Sequence, residues 1–412
     1  MKKILLLIIS LNLFANELDD LLNKLDNNLL IKSKQYEIEA YTNKYNSTKG
    51  LNLPQIYFKT SYIHLKDTPQ FAMQLTPTTT TWFDAGTKDI YSAEVTLQYP
   101  IFSGYGISNL INKAKFDKTI AKLQQQDLKR NLKLKLIILY GKLYSLNTLK
   151  QALEDAKIAL ESSLKKAQSF YELELLPKSG VLNIKANLYK IKANIQQSQT
   201  QFTIINNEIK YLTSSFAKAI TLPDTKIIKA DIENRADIVA LKTMLLSTKA
   251  DIELANSKFY PNVNFIASYK KFGDDFSLDG DGHKNPNQSY VGVELKYNLF
   301  NGYSDKSNLQ GAKAKYLAKQ LYVEDYIKNI KKELDNELLK LNSLEENLKW
   351  ANEELKASNE YLKLTLARFN QQLVSSDELN QAIANNAKTK ANLQNIQSEI
   401  FIQKNKINLI QE

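Results

Sequence analysis

The sequence predicts an α+β membrane protein: a tandem duplication in which each half joins two membrane-length β-strands to a very long coiled-coil helical hairpin. Four strands per chain then have to share a barrel with other copies. Three observations lead there. A motif returns about 198 positions later, alternation at period two precedes it in both halves, and proline-free stretches of about seventy residues keep an apolar repeat of three or four.

The duplication comes first. Tyr99-Pro100-Ile101-Phe102-Ser103-Gly104-Tyr105 is echoed by Tyr297-Asn298-Leu299-Phe300-Asn301-Gly302-Tyr303. Upstream, Leu53-Pro54-Gln55-Ile56 corresponds to Tyr260-Pro261-Asn262-Val263, and downstream Tyr171 and Leu175 correspond to Phe369 and Leu373. The expected division is a signal segment at 1–15, a first repeat at 16–233 and a second at 234–412. Each repeat holds a helix, a strand hairpin (54–102 or 261–300) and a long helical hairpin (103–212 or 301–410).

The strands follow from side-chain parity. Tyr91, Ala93, Val95, Leu97 and Tyr99 alternate with Ser92, Glu94, Thr96 and Gln98, and Val291, Val293, Leu295, Tyr297 and Leu299 alternate with Gly292, Glu294, Lys296 and Asn298. Val263, Phe265, Ala267 and Tyr269 oppose Asn264, Ser268 and Lys270, with Ile266 as an exception, and the strand from Ile56 to about Leu65 is the least regular. About ten residues with one apolar face, one polar face and aromatic ends suit a transmembrane β-strand. The connections Leu65 to Asp89 and Phe272 to Asn287, which join the paired strands and hold Thr78 to Thr81 and the aspartate cluster, are expected to be extracellular loops.

The helices follow from the scarcity of breakers, since the chain has only 12 Gly and 8 Pro. Leu139, Leu143, Leu146, Leu149, Leu153, Ala156, Leu160, Leu164, Ala167 and Tyr171 form one seam. Leu334, Leu338, Leu341, Leu344, Leu348, Ala351, Leu355 and Leu362 form the other. Seventy residues at about 1.5 Å each make a rod of about 100 Å. Returning helices are expected at Ser179 to Leu212 and Asp377 to Ile410, and shorter ones at about Glu17 to Thr48 and Arg235 to Lys258.

Four strands cannot close a barrel, and an open edge in hydrocarbon leaves unpaired backbone groups costing several kcal/mol each. Several chains must therefore share one barrel in lipid. The polar faces carry Glu94, Lys270, Glu294 and Lys296, which assigns them to a wet lumen.

Met1 to Ala15 has a basic start at Lys2 and Lys3, a short apolar run from Ile4 to Leu13 and a small residue for cleavage, the pattern of a secretory signal. Without those two lysines the formal charge falls from +11 to +9. The remaining lysines are spread along polar helix faces, which reads as solvated surface and not as a nucleic-acid site. With no cysteine, the chain has no disulfide framework, no lipid-anchored amino terminus and no thiolate metal site.

These motifs together resemble the TolC family of outer-membrane efflux and type I secretion channels. The resemblance rests on the Pro54 and Pro261 strand starts, the Phe102-Ser103-Gly104 and Phe300-Asn301-Gly302 strand ends, and Asn234-Arg235-Ala236-Asp237 opening the second half. It also rests on two tip segments, Leu175-Leu176-Pro177-Lys178-Ser179 and Arg368 to Leu379, the latter holding Leu373, Val374, Ser375 and Ser376. What it implies is a homotrimer in the outer membrane of a Gram-negative cell, with a twelve-stranded barrel and an α-helical tunnel across the periplasm. The tips would dock a periplasmic adaptor (membrane fusion) protein joined to an inner-membrane RND or ABC exporter. The chain departs from the family in two places: the usual tip glycine is Glu174 or Gln372, and the acidic residue early in the returning helix is Gly180 in the first half, Glu378 in the second.

The remaining motifs weigh toward structure. Gly104-Tyr105-Gly106 follows a strand and opens a helix, but the third glycine of a dinucleotide loop is replaced by Asn109, so it reads as a turn. Asp274, Asp275, Asp279, Asp281 and His283 lack the spacing of a calcium loop. No cofactor is expected, and no catalytic constellation stands out. Ser375-Ser376-Asp377-Glu378 reads as a capping box. Glu378, with Gln381 one turn on, also reads as a gate of like charges at the narrow end of the tunnel. The expectation is passive conduction through an exit duct; a non-conducting coiled-coil envelope protein is the alternative.

Overall fold

Helices run longest where the sequence offers no place to stop. In the computed structural model, which describes residues 17–219 and 221–412, α3 (Gly106–Glu172) and α6 (Ser304–Asn370) each have 67 residues. Their returning partners α4 (Lys178–Thr213) and α7 (Ser376–Gln411) each have 36, and both pairs start 198 positions apart. Shorter helices α1 (Glu17–Lys24), α2 (Leu29–Gly50) and α5 (Ala236–Asn256) precede the strands. The expected signal segment lies outside the described residues. No described helix is long and apolar enough to cross a membrane.

Strands β1 (Gln55–His64), β4 (Asp89–Ser103), β5 (Asn262–Gly273) and β6 (Asn287–Lys296) form one antiparallel sheet in the order β1-β4-β5-β6. Each predicted hairpin is present, and β4 pairs with β5 to join the repeats. Pro100 has no amide to donate; it sits beyond the β1 pairing, which ends at Gln55 and Gln98, and at a register shift against β5.

Two expectations need correction. The 65–89 connection is not only loop: β2 (Gln70–Thr76) and β3 (Thr79–Asp84) make a hairpin closed by Phe71 stacked on Phe83. Its β-rich threonines and the alternation of Phe71, Met73 and Leu75 are the signal. The last strand stops at Lys296 and does not run to Leu299. Lys296 pairs with Asn262, the first residue of β5, so the ladder has no partner residue left for Tyr297 to Phe300.

Two compact units cut across the two repeats. One comprises residues to Tyr36, Leu123–Val239 and Glu324–Glu412; the other comprises Glu37–Lys122 and Ala240–Val323 and holds the sheet. In the first, Leu136, Tyr140 and Leu143 of α3 bury against Leu18 and Leu21 of α1, Ile209 of α4 and Phe401 of α7. Nearer the tips, Leu160 and Ala167 meet Ile184, Leu379 and Ile383. Gly141 lets α7 approach α3: a Cβ there would fall 2.7 Å from Ile402, and Ser398 Oγ donates to the Gly141 carbonyl at 2.6 Å.

The seam of α6 differs from expectation at one step. Leu338 is 37% exposed, and Glu337, 4% exposed, holds the inward position. Burying that carboxylate costs free energy unless it is paired. Lys340 (2.7 Å), Lys406 (3.1 Å) and Gln403 Nε2 (2.7 Å) surround it.

Candidate functional site

The sheet sorts its side chains into two chemically opposite faces. Registered pairing places Lys59, Glu94, Lys270 and Gln288 in one row across all four strands. Glu94 accepts from Ser268 Oγ at 2.7 Å and Thr96 Oγ1 at 3.1 Å. Glu294 and Lys296 fall on the same face, opposite Asn264 and Asn262, so all four residues assigned to the lumen share one side. The other side carries Ile56, Phe58, Val95, Val291, Val293 and Leu295. All are exposed, Val291 by 72%. Parity explains the irregularities: Ile266 lies among polar neighbours between Gln98 and Gly292, and Tyr57 and Ile63 interrupt the polar face of β1.

An exposed apolar face of this extent is a surface for hydrocarbon or a partner. The edges point the same way, because among the described residues β1 and β6 each pair on one side only.

The strand-to-helix turns repeat faithfully. Gly104 and Tyr105 have φ of 59° and 66°, and Gly302 and Tyr303 have 68° and 64°. In each, the motif phenylalanine meets the tyrosine edge-on, Phe102 with Tyr105 at 5.3 Å and Phe300 with Tyr303 at 5.5 Å. Gly104 is also sterically required, since a Cβ would lie 2.6 Å from the Ser257 carbonyl oxygen.

The helical tips form the second part of the site. Both long helices end in a left-handed residue, Glu174 and Gln372, followed by Leu175 N donating to Phe170 O (2.8 Å) and Leu373 N donating to Arg368 O (2.9 Å). That is a Schellman termination, which normally carries glycine at the left-handed position. Leu175, Pro177, Lys178, Ser179, Leu373 and Ser375 are exposed, Leu176 and Val374 half-buried, and Ser376 buried. The two tips lie against each other: a Cβ on Gly180 would come within 2.8 Å of Ser376 Oγ, and the Phe170 and Phe369 rings are 6.1 Å apart.

The two returning helices start differently. Pro177 offers α4 no side-chain cap, whereas Ser375 Oγ accepts from Glu378 N at 3.1 Å at the start of α7. The reciprocal arm of the expected capping box is replaced. The Glu378 carboxylate points to Arg368, Oε1 to Nη1 4.0 Å, and Gln381 donates to Asp377 Oδ2 at 2.8 Å. Just inside, Ser376 Oγ and both amide atoms of Asn380 are buried with no hydrogen-bond partner.

The Asn234-Arg235-Ala236-Asp237 motif is an anchor. Arg235, 3% exposed, grips Asp237 through Nε (3.0 Å) and Nη2 (2.6 Å) and donates to the Ile410 carbonyl at 3.0 Å, capping the end of α7. Burial disfavours the Asp237 carboxylate charge, yet the hydrogen bonds from Arg235 and Tyr326 (2.7 Å) and the nearby Arg130 hold it below the usual range. The same burial, and then Asp237 itself, push the Tyr326 phenol up to about 12. Arg130 and Tyr326 were not legible beforehand, because each looks like an ordinary helix residue far away in sequence.

In the loop after β5, the aspartates serve their own backbone. Asp275 accepts from Ser277 N and Oγ, and Asp281 accepts from His283 N and Lys284 N.

Residues 227–410 match the family described as outer membrane efflux protein. No curated protein sequence is matched significantly. Among solved structures, CusC matches with a TM-score of 0.82 at 15% identity, covering 96% of this chain and 92% of that one. The outer membrane protein VceC of Vibrio cholerae gives 0.81 at 14%, covering 96% of each. The CmeC outer membrane channel of Campylobacter jejuni gives 0.80 at 14%, covering 96% of this chain and 85% of that one. Paired strand hairpins and long helical hairpins agree with these matches: residues 227–410 match the outer membrane efflux protein family, and the chain as a whole has the fold of these solved outer-membrane channels.

Proposed function

We propose that this chain is one protomer of a homotrimeric exit duct in the outer membrane, in which three four-stranded sheets make a twelve-stranded barrel and the helical hairpins line a tunnel in the periplasm. The two-faced sheet with open edges carries the reading. Its apolar side meets lipid, and the row of Lys59, Glu94 and Lys270, with Glu294 and Lys296, faces water. Conduction is passive, and energy comes from an inner-membrane RND or ABC exporter through a periplasmic adaptor that docks at Leu175 to Ser179 and Leu373 to Ser376. Glu378 and Gln381 line the narrow end, where copies of one carboxylate gather cations.

The test is reconstitution. The purified protein should insert in planar bilayers as a trimer by native mass measurement and give discrete single-channel currents. A trimer with no conductance in either polarity would favour a non-conducting envelope protein.

A further inference from the structure

The polar face of the sheet is not electrically balanced. By register its charged residues are Lys59 on β1, Glu94 on β4, Lys270 on β5, and Glu294 and Lys296 on β6; its other positions, such as Ser61, Thr96, Ser268 and Gln288, carry no charge. Three lysines against two glutamates leave one surplus positive charge in each copy. Glu294 and Lys296 stand two residues apart on the same strand and offset each other. The surplus therefore sits at Lys59 and Lys270, on either side of Glu94.

Glu94 is tied to the strands. It is half-buried, and its Oε1 accepts from both Ser268 Oγ and Thr96 Oγ1. It lies directly opposite Lys59 and, on its other side, Lys270, yet it forms an ion pair with neither. Among the described residues both ammonium groups lack a hydrogen-bonded or ion-paired partner. Adjacent strands are about 4.8 Å apart, so the two lysines are rooted about 10 Å from each other. Their flexible four-carbon stems carry the charge away from the backbone, whereas the Glu94 carboxylate stays at the level of its hydroxyl partners.

We propose that Lys59 and Lys270 make the barrel lumen select for anions, so that small inorganic and organic anions are the solutes it passes most readily. This rests on the shared-barrel reading above, in which the polar face lines water. Twelve strands close at a backbone radius of about 12 Å. The Debye length in 0.1 M salt is about 10 Å, so ammonium groups projecting from the wall are felt across most of the bore. Low-dielectric walls concentrate that field, and lumen lysines or arginines are the groups by which pores favour anions. The aspartates of the second connection lie beyond the end of β5 at Gly273, and Asp275 and Asp281 are engaged by their own backbone.

Reversal potentials of single channels in a potassium chloride gradient, about 0.1 M against about 0.01 M, read the preference. Every channel carries Glu378→Gln, so that the carboxylates assigned to the narrow end do not contribute. Lys59→Gln with Lys270→Gln should lower the chloride-to-potassium permeability ratio at least about twofold. Glu94→Gln should raise it, and Lys59→Arg with Lys270→Arg should keep the parent ratio. The shifts should shrink in a gradient ten times more concentrated, where the Debye length is about 3 Å. If the double glutamine variant yields no trimer, the single changes carry the test, each with about half the shift in reversal potential. A ratio that the lysine and glutamate variants leave unchanged, or move in the same direction, overturns the selectivity and leaves the duct standing. A trimer that conducts nothing, or a monomer by native mass measurement, removes the duct reading and this inference with it.

Discussion

Glu174 and Gln372 occupy the same left-handed conformation, φ 59° and 62°, 198 positions apart at the ends of helices of equal length. A side chain there costs about 1 kcal/mol relative to glycine. Glu174→Gly and Gln372→Gly should each strengthen the tip, and the Leu175 and Leu373 amides should exchange about fivefold more slowly. Unchanged or faster exchange would show that neighbouring contacts already compensate for the strain.

At the start of α7, Ser375→Ala removes the acceptor of Glu378 N and should cost about 1 kcal/mol of local stability. Pro177→Ser supplies the missing cap to α4 and should give a gain of the same order, since Pro177 already has the extended backbone of an N-cap, φ −68° and ψ 151°. Hydrogen exchange across the first turn of each helix reads both; equal protection in all variants would count against a side-chain contribution.

Glu378→Gln separates charge from capping. The Ser375 contact goes to the Glu378 backbone and survives, and the exposed pair with Arg368 contributes little. Stability should stay the same while single-channel cation preference falls. Identical selectivity in the variant would remove Glu378 from the gate.

Glu337 is one contributor to the acid limb of stability, beside Asp237 and other carboxylates held below their usual range. Burial opposes its charge, but Lys340, Gln403 and Lys406 win and hold its pKa down at about 2. A depressed carboxylate stabilises the fold above its unfolded value, near 4.3, and that contribution is lost as pH falls toward about 2. Glu337→Gln should lower thermal stability at pH 7 and flatten its fall between pH 4.5 and 2. A variant whose melting profile in that window stays parallel to the parent would show that the ion pairs contribute no net free energy.

Cysteines at Thr80, in the β3 hairpin, and at Asp281, in the second connection, should label with a membrane-impermeant maleimide on intact cells. Labelling only after the outer membrane is broken would invert the assigned topology.

Much of this was written plainly in the chain. Period two gave both faces of the sheet, and the absence of proline between Tyr105 and Leu175 gave α3 to within a few residues. The illegible parts depend on long-range pairing. Leu338 outranks Glu337 as a seam residue until Lys406, far along the chain, neutralises the carboxylate. Tyr297 and Leu299 continue an alternating pattern, yet a strand exists only where a neighbour supplies hydrogen bonds, and β5 starts too late to do so. Arg130 joins the Asp237 cluster through a contact that no local motif announces. The tip pattern was visible, but the left-handed backbone under Glu174 and Gln372 was not, because neither residue type signals it.

The β4–β5 junction also sets a timetable. Strand β4 is complete at Ser103, whereas its second neighbour begins only at Asn262, on the far side of two long helices. At the usual 5–20 residues per second, synthesis leaves that edge bare for about ten seconds or more. For the whole interval the first hairpin presents an apolar face and a free ladder, the two ingredients of aggregation. The β4–β5 ladder joins strands separated by more than 150 residues, and pairing of that range is intrinsically slow because the loop-closure entropy is lost before the contacts form.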